Sequence, residues 1–152
     1  MDQLPPHVRP TAFSLTEVLL DLVYATQAYY RVDCESVLIM LCLSEATMRE
    51  FVLEKDLPPE IMNAPKPPEH IRGALSRRMI ADKTGLPRET VRRRVAELIE
   101  RGYVVAVSDG TVRAAANLDD PRLQDTIAEG HRAVMRYLRR LDEFGVAWRE
   151  PL

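Results

Sequence analysis

The chain has 152 residues, 46% of them apolar and 29% charged, with a formal net charge of −2. That length suits one domain, or a small domain with helical arms, and the apolar content is enough to build a real core. Asp2 and the early prolines interrupt any secretory signal, so a cytoplasmic location is expected. Taken in chain order, Ser14-Leu15-Thr16-Glu17 has the spacing of a capping box. A helix is therefore expected from Leu15 to about Arg31, with Leu15, Val18, Leu19, Leu22 and Val23 apolar. Asp33 is placed to cap a second helix. Its early part, Val37 to Leu43, is apolar on every side, as in a buried helix, and it turns amphipathic through Met48, Phe51 and Val52. The apolar run is too short to span a bilayer, and Asp33, Glu35 and Glu45 flank it closely. Leu57 to Pro68 contains Pro58, Pro59, Pro65, Pro67 and Pro68, which argues against regular helix or central strand and reads as a linker.

The densest information lies between Leu75 and Arg113. Ser76 can cap a short helix whose inward positions are Ile80 and Ala81. Gly85 supplies the left-handed turn that ends it, Leu86 fills the gap between helices, and Pro87 opens the next helix. On that second helix Val91, Val95, Leu98 and Ile99 share one face by the 3.6-residue period. The face turned away from them carries Arg88, Glu89, Arg92 and Arg93 towards its N-terminal end, with Thr90 and Arg94 on one flank. Tyr103 to Val107 is β-branched and apolar, Ser108-Asp109-Gly110 is a turn, and Thr111-Val112-Arg113 resumes a strand. Helix, glycine turn, arginine-rich helix and hairpin together are the pattern of a winged helix-turn-helix, whose second helix enters the DNA major groove. Charge agrees: residues 72–101 hold nine basic and four acidic side chains, a net of +5 in a chain whose total is −2. A mildly acidic chain thus concentrates positive charge where phosphates would lie.

After the hairpin, Asp119-Asp120-Pro121 is a helix start. Leu123, Ile127, Val134, Leu138 and Leu141 form a stripe to about Phe144, with Gly130 on it. Nothing inside a winged helix calls for this helix. It is expected to pack with the N-terminal helices and form a homodimer interface with them.

The segment from Ser76 to about Ala115 resembles the winged-helix domain of the cyclic-AMP receptor/FNR family of bacterial transcription regulators. The likeness is carried by Gly85-Leu86-Pro87-Arg88-Glu89-Thr90-Val91, then Arg93, Leu98 and Gly102. The resemblance implies that Arg88, Glu89 and Arg93 contact base edges and that Ser76, Arg77 and Thr90 contact phosphates. Pro87 stands where that family usually has a phosphate-binding serine or threonine. The nucleotide-binding barrel of the family has no counterpart here, so its ligand is not implied. In layout, with helices on both sides of a winged helix, the chain is similar to MarR-type regulators.

Other constellations are weaker. Cys34 and Cys42 lie eight residues apart on one expected helix, a rise of about 12 Å, too far to bridge each other. Burial is the ordinary reading for both, with redox sensing at Cys34 as a minor alternative. His7, His70 and His131 are scattered, and no nucleophile, phosphate-loop or paired-carboxylate pattern is present. No enzyme activity, cofactor or metal is expected. Tyr29 and Tyr30, with Tyr24 nearby, are core residues by the ordinary reading, or the lining of a ligand cavity by the alternative.

The expected protein is mostly α, a winged helix-turn-helix with a small β-hairpin wing and flanking dimerisation helices. The expected regions are residues 1–56 (N-terminal helices, for dimerisation or sensing), 57–70 (linker), 71–116 (winged helix) and 117–152 (C-terminal dimerisation helix). Its expected function is sequence-specific binding of double-stranded DNA as a homodimeric transcriptional regulator. Ser76, Arg77, Arg78 and Thr90 would hold phosphates. Arg88, Glu89, Arg92 and Arg93 would read bases, Arg94 would add charge, and Arg113 or the Ser108–Thr111 tip would touch backbone or minor groove. The alternatives are a winged-helix module for protein interaction, or a regulator gated by a small-molecule effector bound among the N-terminal helices.

Overall fold

The computed structural model describes residues 3–107 and 109–151. Asp2, and Ser108 of the expected wing turn and tip, lie outside them. In chain order the elements are α1 (Val8–Tyr30), α2 (Cys34–Val52), α3 (Pro59–Met62), a 3-10 turn (Glu69–Ile71), α4 (Arg77–Thr84), α5 (Arg88–Glu100), β1 (Val104–Ala106), β2 (Val112–Ala114) and α6 (Pro121–Glu143). They fall into two compact units. One joins the residues up to Arg31 with those from Pro121 onward, and the other spans Val32–Asp120. The division between these units falls at Arg31/Val32 and Asp120/Pro121. α2 and the proline-rich segment belong to the winged helix, and α1 with α6 stands as a unit of its own.

In the first unit α1 starts at Val8, seven residues before the expected Leu15. Ser14 is not its cap. The Ser14 hydroxyl is buried and donates to the Pro10 carbonyl at 2.8 Å, as Thr16 does to Ala12 at 2.8 Å. Pro10 is harmless there because the first turn of a helix has no use for its missing N–H. Serine bonding four residues back inside a helix produces the same sequence pattern as a cap. α1 and α6 run antiparallel. Arg122 lies over the Tyr29 ring, and a Cβ on Gly130 would sit 3.4 Å from Leu22 Cδ2. Arg136 donates to Asp21 at 3.3 Å, Arg140 grips the Glu17 carboxylate with two 3.2 Å bonds, and Phe13 meets Phe144 edge-on at 6.4 Å. Val18, Tyr29, Tyr30, Leu123, Ala133 and Leu141 are buried. Tyr29 and Tyr30 pack edge-to-face at 4.7 Å, as core residues do. Leu15, Leu19, Ile127 and Val134 are exposed, so the expected α6 stripe only partly faces α1.

In the second unit Asp33 caps α2 as expected, its carboxylate accepting the Ser36 N–H at 2.9 Å. α2 is not buried all round. Val37, Ile39, Met40, Leu43, Thr47 and Phe51 form the inner face, against α4, α5 and β2, while Leu38 and Leu41 are exposed. The prolines do not prevent helix; they open it. Pro59 is the first residue of the single turn α3, and Pro68 precedes the 3-10 turn.

β1 and β2 pair antiparallel, Val104 with Ala114 and Ala106 with Val112. A third partner is added by Leu75, which exchanges two 2.8 Å backbone bonds with Val112 just before α4 begins. Thr47 ties α2 to this sheet. Its hydroxyl oxygen accepts the Ala114 N–H at 3.1 Å, and its carbonyl accepts the Gly73 N–H at 3.1 Å. Gly73 must be glycine at this crossing, because a Cβ would lie 2.2 Å from the Ala46 carbonyl oxygen.

A candidate DNA interface on α4, α5 and the wing

α4 starts as expected, with the Ser76 hydroxyl oxygen accepting the Met79 N–H at 3.1 Å. That bond leaves the hydroxyl proton free to donate outward. The helix ends at Gly85, left-handed with φ 74°, whose N–H donates to the Ala81 carbonyl at 2.9 Å. Thr84 fastens the turn, donating to the Ile80 carbonyl at 2.7 Å and accepting the Leu86 N–H at 3.3 Å. Pro87 is the N-cap of α5, one residue outside the helix, and no side chain caps that end. The first N–H groups of α5 are therefore available to an anion, reinforced by the positive end of the helix dipole.

Val91, Val95 and Leu98 are buried on the inner side of α5 against Ile80 and Ala81 of α4, all within the core of the unit, and Ile99 is half-buried. This burial sets the roll of the helix and holds Arg88, Glu89, Arg92 and Arg93 in solvent, with Thr90 half-exposed. Arg78 is exposed on α4 and Arg77 is half-buried. The side chains of Arg77, Arg78, Arg88 and Arg93 make no hydrogen bond or ion pair among the described residues. Glu89 is engaged differently. Both of its oxygens accept from Arg92, at 2.9 Å from Nε and at 2.5 Å from the terminal nitrogen. The Arg92 hydrogen bonds hold the Glu89 carboxyl below its ordinary value, and the same bonds raise Arg92. The two side chains form one exposed, doubly hydrogen-bonded pair.

Two expected contact residues point elsewhere. Arg94 turns back to the start of α2, pairing with Asp33 at 2.7 Å and with Glu97 at 3.4 Å. The Asp33 carboxyl is held below its ordinary value chiefly by the Ser36 N–H, with the Arg94 and Arg93 charges adding to it. Arg113 is 7% exposed. It donates to the Glu69 carbonyl at 3.3 Å and pairs with the Glu69 carboxylate at 3.5 Å. The reason is that β2 is covered on both faces, so its alternation does not alternate between core and solvent. Nothing in the local sequence signals this, because Glu69 is 44 residues away. At the wing turn Asp109 accepts from the Thr111 N–H at 3.1 Å and from its hydroxyl, and Gly110 has φ 82°.

Cys34 is exposed and Cys42 half-buried, neither in a disulfide, and burial pushes the Cys42 thiol up. Among the described residues no cluster of His, Cys, Asp and Glu could hold a metal, and no helix is long and apolar enough to cross a membrane.

Residues 69–108, about a quarter of the chain, match the family model of the IclR helix-turn-helix domain. No curated protein and no solved structure matches the chain. The matched segment runs from the 3-10 turn through α4 and α5 to β1, which is the folded helix-turn-helix with the first wing strand. It supports a winged helix-turn-helix of the DNA-binding, transcription-regulating kind. The narrower likenesses to the cyclic-AMP receptor/FNR and MarR regulators are not supported beyond that shared architecture.

Proposed function

We propose that the chain is a homodimeric regulator that binds a specific duplex DNA sequence through α5. The observation that carries this reading is the exposed arginine face of α5, opposite Val91, Val95 and Leu98, on a segment matching a helix-turn-helix family model. Ser76, Arg77, Arg78 and Thr90, with the uncapped start of α5, hold phosphates and set the register. Arg88 and Arg93 read base edges, guanine being the natural partner of a free guanidinium, and the Glu89–Arg92 pair lies between them. Arg94 and Arg113 are left out of the contact set, since both are spent inside the fold.

The homodimer reading is supported by the pair of α1 and α6, which leaves Leu15, Leu19, Ile127 and Val134 exposed on helices of 23 residues each. Two helices alone cannot enclose a core, and two such pairs make a four-helix bundle. Selection of genomic fragments by the purified protein, with Arg93→Ala as control, tests the function. A palindromic motif enriched only by the unsubstituted protein is expected. Equal enrichment by both proteins, or none, overturns sequence-specific reading by α5.

A further inference from the structure

The outer face of α2 is unaccounted for by DNA binding. Leu38, Leu41, Met48 and Val52 are 42%, 51%, 39% and 48% exposed. With the exposed Cys34 and Glu45 they fall at positions 34, 38, 41, 45, 48 and 52, an alternation of four and three residues. That is a single heptad seam along the whole helix. The helix cannot roll to hide it, because Ile39, Met40, Leu43 and Phe51 on the other side are locked in the core of the winged-helix unit. Apolar surface gathered in a stripe of this kind marks an interface rather than ordinary scatter.

We propose that the α2 seam pairs with the α2 seam of a second copy, antiparallel, about a two-fold axis passing beside Leu41 and Glu45. The inference rests on the homodimer reading and adds a second interface to it. A second copy fits because the seam is complementary to itself when reversed. Leu41 meets the partner's Glu45, Leu38 meets the partner's Met48, and Cys34 meets the partner's Val52, each contact occurring twice by symmetry. Charge selects the antiparallel sense. Glu35 and Arg49 flank the seam on one side, and reversal sets Glu35 against the partner's Arg49 at both ends. The parallel sense would stack the two Glu45 carboxylates in one layer, like against like. Glu45 keeps its carboxylate at the rim beside Arg49 of its own helix, and its stem can lie over the partner's Leu41. Four large apolar side chains per copy are few for a stable dimer by themselves. They suffice once another part of the chain holds the two copies together and raises their effective concentration.

Site-directed cross-linking of the full chain tests this, in a Cys34→Ser, Cys42→Ser background. Leu41→Cys and Glu45→Cys are made as separate proteins, then oxidised with copper-phenanthroline alone and after subunit exchange. The antiparallel seam places these two positions within disulfide reach only between different proteins, so the mixture should cross-link about tenfold faster than either alone. Leu38→Cys mixed with Met48→Cys checks the same register should the first pair fold poorly by circular dichroism. Faster cross-linking of one variant alone would mean a parallel or different contact and overturn the proposal. No cross-linking in either mixture, while light scattering reports a dimer, removes the α2 seam and leaves the homodimer standing. A monomer by light scattering in the background protein removes both.

Discussion

A guanidinium on α4 or α5 can do two things for DNA, and the proposed function divides them. The Arg93 side chain is exposed at the second turn and makes no hydrogen bond or ion pair among the described residues, and the proposed function gives it a base edge. Arg77 is half-buried in the first turn of α4, and the proposed function gives it a phosphate rather than a base. Arg93→Ala should cost about 1–3 kcal/mol on the cognate site and relax preference at one base position. Arg77→Ala should weaken all duplexes alike and lower the slope of log K against log salt by about 1. Titrations on cognate and scrambled duplexes at several salt concentrations separate the two, and equal losses on every sequence would reject the division. Glu89 is the less obvious member. Its carboxylate is consumed by Arg92 rather than left to accept from cytosine. Glu89→Gln removes a negative charge that DNA would repel and loosens Arg92. Affinity for scrambled DNA should therefore rise, with a steeper salt slope. A fall in cognate affinity with scrambled DNA unchanged would instead assign Glu89 a base of its own.

What could be read from the chain follows how local each device is. Ser76, Gly85 and the hairpin turn act within three or four residues, and the structure places all but the undescribed Ser108 where the pattern puts them. Asp33 is as local, and its worth can be measured. Asp33→Ala loses the α2 cap and the Arg94 pair, a cost of about 0.5–2 kcal/mol. Because the folded carboxyl lies below its unfolded value, the stabilisation is complete above the ordinary carboxylate range. It is lost as pH falls through the lowered folded value. Urea midpoints of the two proteins should differ at neutral pH and converge below about pH 4. The misreadings are of another kind. Ser14 carries a cap's spacing inside a helix, and only burial and the Pro10 carbonyl reveal it. Leu75 joins the wing and Arg113 sinks beneath Glu69 through partners 37 and 44 residues away, which no periodicity registers. Gly73 is the same lesson in steric form. Gly73→Ala should destabilise the winged-helix unit by about 1–3 kcal/mol, because the Ala46 carbonyl it would strike belongs to a helix that cannot move. Thermal denaturation checks this, and an unchanged midpoint would mean that the crossing relaxes.

The two units divide the work in a way that makes their coupling measurable. The winged-helix unit holds every proposed DNA contact, whereas α1 with α6 holds none and exposes Leu15, Leu19, Ile127 and Val134. A single winged helix reads only a few base pairs, and its affinity rests largely on salt-sensitive phosphate contacts. Specificity of the size a regulator needs comes from two half-sites bound together, about 34–36 Å apart or a multiple of that. Leu19→Glu tests whether the α1–α6 pair supplies that coupling. Leu19 is 59% exposed, so the substitution should change the stability of a lone chain by no more than about 0.5 kcal/mol. In a bundle of two copies it buries a carboxylate against apolar neighbours. Sedimentation should then show a monomer, and the enriched motif should shrink from a palindrome to one half. If the variant stays dimeric and protects both halves, the exposed leucines of α1 face solvent in the working protein, and the contact that holds the two copies lies elsewhere than on α1.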